Sequence, residues 1–362
     1  MEKHLIKKAL VFTVIILFIF MSITPSSAVD NVKKSTIPFS NGNTLYVGGS
    51  GPGNYSTIQG AINDASNGDT VFVYDDSSPY LENILVNKSI KLIGEDKETT
   101  IIDGRNYENT ILIVSDNVYL YGFCIQNSGY HFNESGVFVE SSGCSINTNL
   151  IKENKYGIFL NKSSNNCIYE NLIIDNSVNG LYMYLSSDNI VSMNTFIANN
   201  WSAVTLENSS NNTFSYNIIN NSNKYDTFIG VDIYKSTNNT INNNYISNND
   251  GCGINIDESH FNQIYKNNII NNTFSGVHLR FSSNNYIYQN NFIDNYYHNA
   301  VFSIINISHC KNIWKNNYWN RPRLLLKPIL GFRILVLKNS TVVLIPCLPN
   351  FDWHPAKEPY DI

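Results

Sequence analysis

Apolar and polar residues alternate in short bursts along this chain, and the bursts recur. A small residue followed by an alternating strand stands at Gly136-VFV, Gly157-IFL, Gly180-LYM, Ala203-VTL, Gly230-VDI, Gly253-INI, Gly276-VHL and Ala300-VFS. The steps between them are 21, 23, 23, 27, 23, 23 and 24 residues. A second column keeps time with the first: Asn149, Asn171, Asn194, Asn217, Asn244, Asn267, Asn290 and Asn316. Five residues on, most of these are followed by another asparagine: Asn154, Asn176, Asn199, Asn249, Asn272 and Asn295. Two residues on, each is followed by an apolar side chain: Ile151, Ile173, Phe196, Ile219, Ile246, Ile269, Phe292 and Tyr318. Period-2 runs broken by Asn, Ser and Gly are strand and turn signals. Helical repeats would need long stretches of 3.6 period, and a leucine-rich repeat would show its own leucine frame. The pattern predicts an all-β chain, a parallel β-helix with coils of about 22–24 residues, each strand pairing with its equivalent one coil later.

Asparagine makes up roughly one residue in six, far above normal usage. The repeat gives it work. Asn accepts the left-handed backbone of tight turns, and stacked amides can both donate and accept along the coil axis. The asparagine columns are therefore expected to be structural.

The repeated Asn-x-apolar-x-x-Asn…Gly-Ile-x-Leu pattern resembles the right-handed parallel β-helix proteins of the pectin-lyase-like superfamily. More narrowly it resembles the NosD-like family, often labelled periplasmic copper-binding, and related archaeal cell-surface proteins. The resemblance spans about residues 44–320. It implies a single-stranded right-handed solenoid with an N-terminal capping helix, and TLYVGG, YSTIQGAINDASNGDTVFVY and SIKLIGEDKETTIIDG fit such a first coil. The helix also follows from the residues. Ser56 and Thr57 offer N-cap oxygens, Ile58, Ala61, Ile62 and Ala65 share a face, and Asn67-Gly68 ends it. Early coils run from Thr70 to about Gly136 with looser spacing. Residues 321–362 read as a C-terminal cap, because Leu324–Leu326 and Ile334–Leu337 need burial.

Residues 1–28 read as a secretory signal peptide: Lys3, Lys7 and Lys8, an apolar run from Ala9 to Met21, then Ser26-Ser27-Ala28. Residues 29–43 follow as a linker, and the expected location is secreted or at the cell surface. An uncleaved signal segment would be the one route to a membrane. The net charge of −5 becomes −7 without the signal, and no basic face points to nucleic acid. Secretion makes the Asn-x-Ser/Thr triplets readable as glycan acceptors, among them Asn54, Asn87, Asn200 and Asn238. Six widely spaced cysteines show no zinc-type cluster and read as small buried hydrophobes.

Alternation assigns faces. Val231, Ile233, Ile254, Ile256, Val277 and Leu279 point inward. One outward column runs Phe138, Phe159, Tyr182, Thr205, Asp232, Asn255, His278, Phe302. The next runs Glu140, Asn161, Tyr184, Glu207, Tyr234, Asp257, Arg280, Ile304. Asp232, Asp257, Glu207, His278 and Arg280 thus fall in one patch, and the 27-residue step adds loop around Asn223–Thr227 beside it. Two functions fit. In the first, the chain is a non-catalytic module binding a polysaccharide or envelope glycan, with Tyr182, Tyr184, Tyr234 and Asn255 as sugar contacts. In the second, it is a glycoside hydrolase or polysaccharide lyase acting on acidic polysaccharide, with Asp232, Asp257, Arg280, His278 and Glu207 as the catalytic candidates. No cofactor is expected, save calcium if it is a lyase. Copper is not supported, because His131, His260, His278, His298, His309 and His354 are scattered and methionines are few.

Overall fold

The computed structural model describes residues 42–220, 229–305, 311–323, 325–336 and 342–362. They form an all-β, right-handed parallel β-helix whose strands stack in three rows. The first row holds the long strands: Ile84–Val86, Ile111–Ile113, Ser135–Val139, Tyr156–Asn161, Asn179–Tyr184, Ser202–Glu207, Ile229–Tyr234, Ile254–Asp257, Ser275–Arg280 and His298–Ile305. The second begins at Thr44–Val47 and Thr70–Val73 and ends at Ile313–Lys315; the third runs from Ile101–Asp103 to Tyr318–Trp319. Pairing is in parallel register between equivalent positions, for example Val231 with Ile254 and Ile254 with Val277. Val231, Ile233, Ile254, Ile256, Val277 and Leu279 are fully buried, as the alternation requires.

Three asparagine ladders tie the coils together. In the ladder through Asn149, Asn171, Asn194, Asn217, Asn244, Asn267 and Asn290, each amide oxygen from Asn171 onward accepts both the backbone N–H and the Nδ2 of the residue one coil earlier. Asn217 Oδ1 takes them from Asn194 at 3.0 and 3.1 Å. Its Nδ2 donates to Val191 O at 2.9 Å and to Asn244 Oδ1 at 3.0 Å. Asn154, Asn176 and Asn199 start a second ladder of the same kind. A third, absent from the sequence reading, joins Asn166, Asn189, Asn212, Asn239, Asn262, Asn285 and Asn312. Beside it runs a serine column, Ser163, Ser186, Ser209, Ser236, Ser259 and Ser282, each backbone N–H donating to the next hydroxyl.

The left-handed turn residues are not the ladder asparagines. They are the residues just before them: Thr148, Glu170, Met193, Tyr216, Asn243, Lys266, Gln289 and Asn316 all have φ near +55°. A non-glycine residue costs about 1 kcal/mol or more in that region. The amide that follows, with its several buried hydrogen bonds, offsets this.

The frame shifts at the last coil. Val277 pairs with Ala300 and His278 with Val301, so Asn299, not Ala300, is equivalent to Gly276. Phe302 and Ile304 therefore face the core, 3% and 7% exposed, and Val301 and Ser303 take the outward places. Asn299 is accepted there because its side-chain oxygen takes the terminal Asn295 Nδ2 at 3.0 Å. Likewise the ladder passes from Asn290 to Asn317, with Asn316 as the left-handed residue, and Phe292 pairs with Trp319 rather than Tyr318.

Both ends are covered. Helix α1 (Ile58–Asp64) is capped by Thr57, whose side chain accepts from Gly60 N, and it buries Ile58, Ala61 and Ile62. The Glu82 carboxylate accepts from Ile58 N and Gln59 N, both at 2.9 Å, placing a negative charge at the positive helix end. At the other end, the strands Lys327–Val336 and Val342–Asp352 form an antiparallel hairpin, and the first of them extends the long-strand row by pairing with Val301–Ile305. Asp352 closes the asparagine ladder. Its oxygens accept from Asn316 N, Asn317 N, Asn317 Nδ2, Trp319 Nε1 and His354 N at 2.9–3.2 Å. The final residues then lie against the third row, where Tyr360 and Asn291 exchange two hydrogen bonds of 2.8 Å. Leu325 and Leu326, expected to be buried, are instead 80% and 39% exposed, because the cap covers the coil end through the hairpin and Asp352 rather than through this turn, while Leu324, Leu337 and residues 1–41 lie outside the described residues.

Candidate functional site

The outward face of the long-strand row divides into two parts. Its N-terminal part is apolar and covered. Phe138, Tyr156 and Phe159 form a buried cluster outside the main core, with Leu112, Val178, Tyr182 and Tyr184 packed against it. Tyr182 lies with its ring against Phe159 and Tyr156, at centroid distances of 4.9 and 5.5 Å. The half-buried ring is thus packed among protein side chains. Its hydroxyl donates to Glu207, and burial first, then that carboxylate, push its pKa far up.

The C-terminal part is polar. The register brings Thr205, Asp232, Asn255 and His278 into one column and Glu207, Tyr234, Asp257 and Arg280 into the next. The candidates Glu207, Asp232, Asp257, His278 and Arg280 are thus neighbours on successive coils. Each is tied along the axis. Asn255 Nδ2 donates to Asp232 Oδ1 at 2.8 Å, Arg280 Nη1 lies 3.5 Å from Asp257 Oδ2, and His278 Nε2 shares a 3.0 Å hydrogen bond with Ser303 Oγ. Burial raises the Asp232 pKa, opposed by the Asn255 hydrogen bond and reinforced by the Asp257 charge. Burial likewise raises Asp257, opposed by Arg280. Tyr234 carries Lys235 Nζ over its ring at 4.8 Å. The loop around Asn223–Thr227 lies outside the described residues.

Burial, with help from Arg280, lowers the His278 pKa to about 4. The imidazole is therefore neutral in the folded chain, while an unfolded histidine titrates near 6.5. Stability from this group is complete above pH 6.5 and is lost as pH falls toward 4, by about 2 kcal/mol after allowing for partial solvent access. Asp232 and Asp257, with raised pKa values, act in the opposite sense. The comparison with His278→Gln isolates the histidine: the stability difference between wild type and variant, from denaturant titrations, should narrow by about 2 kcal/mol between pH 7 and pH 4. A pH-independent difference contradicts the assignment.

Sequence reasoning missed the aromatic border of this strip. Trp201, Phe274 and Tyr297 precede the long strands Ser202–Glu207, Ser275–Arg280 and His298–Ile305, the first of them three coils before the second, and are 65%, 44% and 63% exposed. They belong to one column along the turn: Trp201 N donates to Val178 O, Phe274 N to Gly251 O, and Tyr297 N to Phe274 O. The Phe274 ring stands 6.0 Å from that of His278 and 5.8 Å from that of Tyr297. At Gly251 the column has no side chain, which leaves the edge beside Asn255 open. The signal was an aromatic two residues before Ala203, Gly276 and Asn299, hidden by attention to the strands themselves.

Comparison with known proteins places the chain. A cell surface glycoprotein of Methanothermus fervidus is 35% identical over 100 residues, 27% of this chain and 16% of that protein. The chain thus spans less than a fifth of that relative. Among solved structures, the enzymatically active domain of tailspike protein 2 of bacteriophage CBA120 matches with TM-score 0.55 at 15% identity, over 77% of this chain and 47% of the other. The A-module of the mannuronan C-5 epimerase AlgE6 of Azotobacter vinelandii matches with TM-score 0.51 at 13% identity, over 72% and 87%. These likenesses are of fold. A family model, NosD, described as periplasmic copper-binding protein, matches residues 62–229 and 199–327.

Copper does not fit the donors present. Among the described residues no three of His, Cys, Asp and Glu converge on one point. Cys124, Cys144 and Cys252 are buried free thiols, and burial raises the pKa of Cys252 to about 12, far from a thiolate ligand. On the extent of the sequence match, which covers most of its coils, the chain belongs to the NosD family.

Proposed function

We propose that this is a cell-surface β-helix protein that binds a neutral glycan along the strip from Thr205 to Arg280, without cleaving it. One observation carries the reading: exposed Trp201, Phe274 and Tyr297 stand in register beside a floor of paired polar groups. Aromatic faces pack on the C–H faces of sugar rings, and fixed amide–carboxylate pairs such as Asn255–Asp232 accept and donate to hydroxyls. The similarity to a cell surface glycoprotein supports the location. Charge supports the ligand class. Glu207, Asp232 and Asp257 outnumber Arg280, and Lys235 beside them pairs with Glu258, so the strip would repel uronates.

Hydrolysis is the second reading, favoured by the raised pKa of Asp232, which suits a general acid. Against it, each carboxylate of the strip is engaged by a neighbour. The test is retention of the purified chain on laminarin, xyloglucan and galactomannan, with assay of released sugar ends. Trp201→Ala and Phe274→Ala should each weaken retention by about tenfold, since stacked rings contribute roughly 1–2 kcal/mol. No release of sugar should occur on long incubation. Sugar release that disappears in Asp232→Asn would establish the enzyme instead, and retention unchanged in both aromatic variants would remove the strip as the site.

A further inference from the structure

We propose a second, separate site at the junction of the last coil and the C-terminal hairpin, where Arg321, Arg323 and Lys327 hold an acidic polysaccharide bearing carboxylate or sulfate groups. The chain carries 24 Lys and Arg against 29 Asp and Glu, so a cluster of cations without anions stands out against an acidic background. Among the described residues the ion pairs are Lys152–Glu153, Lys235–Glu258 and Arg280–Asp257, and none involves these three.

The nearest carboxylate by strand register is Asp352, whose backbone pairs with Lys327. It is spent. Five hydrogen-bond donors of the coil end and the following turn saturate its oxygens, and it is fully buried. Lys327 instead lays its ammonium 5.8 Å from the Trp319 ring centroid. Arg323 Nε is buried and has no hydrogen-bond partner. Burial, then Arg323 and Arg321, lower the Lys327 pKa, and burial, then Lys327, lower that of His298. Like charges thus crowd one place with their cost unrelieved, which is the arrangement of a site awaiting an anion.

A sugar polymer is favoured over other polyanions by the surroundings. His298 lies two residues after Tyr296, which is 77% exposed. An exposed ring on the segment that brings His298 to Lys327 suits a pyranose with an acidic substituent: the ring stacks and a guanidinium fork takes the anion. Arg321, Arg323 and Lys327 lie outside the strip assigned to neutral glycan, and this inference does not depend on that assignment.

The test uses the full chain and affinity electrophoresis in gels containing polygalacturonate, a sulfated galactan or uncharged dextran. The wild type should be retarded by either acidic polymer and not by dextran, with retardation falling steeply as salt rises. Arg321→Gln with Arg323→Gln should weaken binding at least about tenfold, and Lys357→Gln, an exposed lysine of the same tail, should leave it unchanged. Arg321→Gln alone, at an exposed position, keeps the test open if the double variant unfolds, and should weaken binding several-fold. Three results would overturn the proposal: no retardation of the wild type by either acidic polymer, equal loss in Lys357→Gln, or tighter binding to single-stranded DNA or anionic phospholipid vesicles than to polygalacturonate. Retention of the sulfated polymer alone would assign the anion as sulfate within the same site.

Discussion

Asp352→Ala is expected to lower the stability of the coil end by about 5 kcal/mol, the largest effect of any single substitution considered. Its two oxygens take five hydrogen bonds from Asn316, Asn317, Trp319 and His354, and the side chain is fully buried. Hydrogen bonds to a buried carboxylate are stronger than neutral ones, and each donor stranded without a partner costs about 1–3 kcal/mol. The effect should be local, because each coil contacts only its neighbours. Trp319 and Trp314, 1% and 3% exposed, should report it through a red shift of their fluorescence at denaturant concentrations where the central coils are intact. Asp352→Asn should recover only part of the loss, since one acceptor becomes a donor facing donors. Coincident unfolding of wild type and Asp352→Ala by tryptophan emission would mean the carboxylate does not close the ladder.

The second large effect lies mid-solenoid. Asn217→Ala should cost about 4 kcal/mol. The variant strands Asn194 N, takes one of three acceptors from Asn194 Nδ2 and a donor from the Val191 carbonyl, and leaves Asn244 Oδ1 with fewer donors. Asn217→Asp should not rescue it: the acceptor remains, but the donor is lost and a charge is buried. Asn87→Ala, at an exposed position, serves as control and should shift the midpoint little. Hydrogen exchange should show lost protection centred on residues 191–194 and 213–220, with the first and last coils unchanged. Equal midpoints for Asn217→Ala and Asn87→Ala would show that the ladder is decorative.

The coil was legible because a parallel solenoid repeats its constraints. Gly253 and Gly276 face the same packing problem, so they carry the same residue. A Cβ on Gly253 would meet Gly276 O at 2.8 Å and Asn272 Nδ2 at 2.9 Å. The same repetition put Asp232, Asn255 and His278 in one column. Reading failed where the repeat ends. Asn299 fills the glycine place, where its oxygen gives Asn295 Nδ2 a second acceptor besides Ile269 O, and a small-residue rule therefore chose Ala300. Asn316 and Asn317 are chemically alike, and only the backbone distinguishes the turn residue from the ladder residue. Left-handed turns at Met193, Tyr216 and Lys266 had no signal of their own, since the chain tolerates those residue types through the asparagine that follows. Of the binding candidates, Tyr182 was visible as an outward aromatic, yet it packs into a protein cluster. The rings left free, Trp201, Phe274 and Tyr297, sit in turns, where strand alternation is silent.

The most direct measurement is hydrogen-exchange mass spectrometry of the full chain with and without a retained neutral oligosaccharide. Binding at the aromatic-bordered strip predicts slowed exchange in segments covering 200–207, 229–234, 254–257 and 274–280, with the opposite rows of the solenoid unchanged. Protection confined to the second and third strand rows, with none in those four segments, would contradict it.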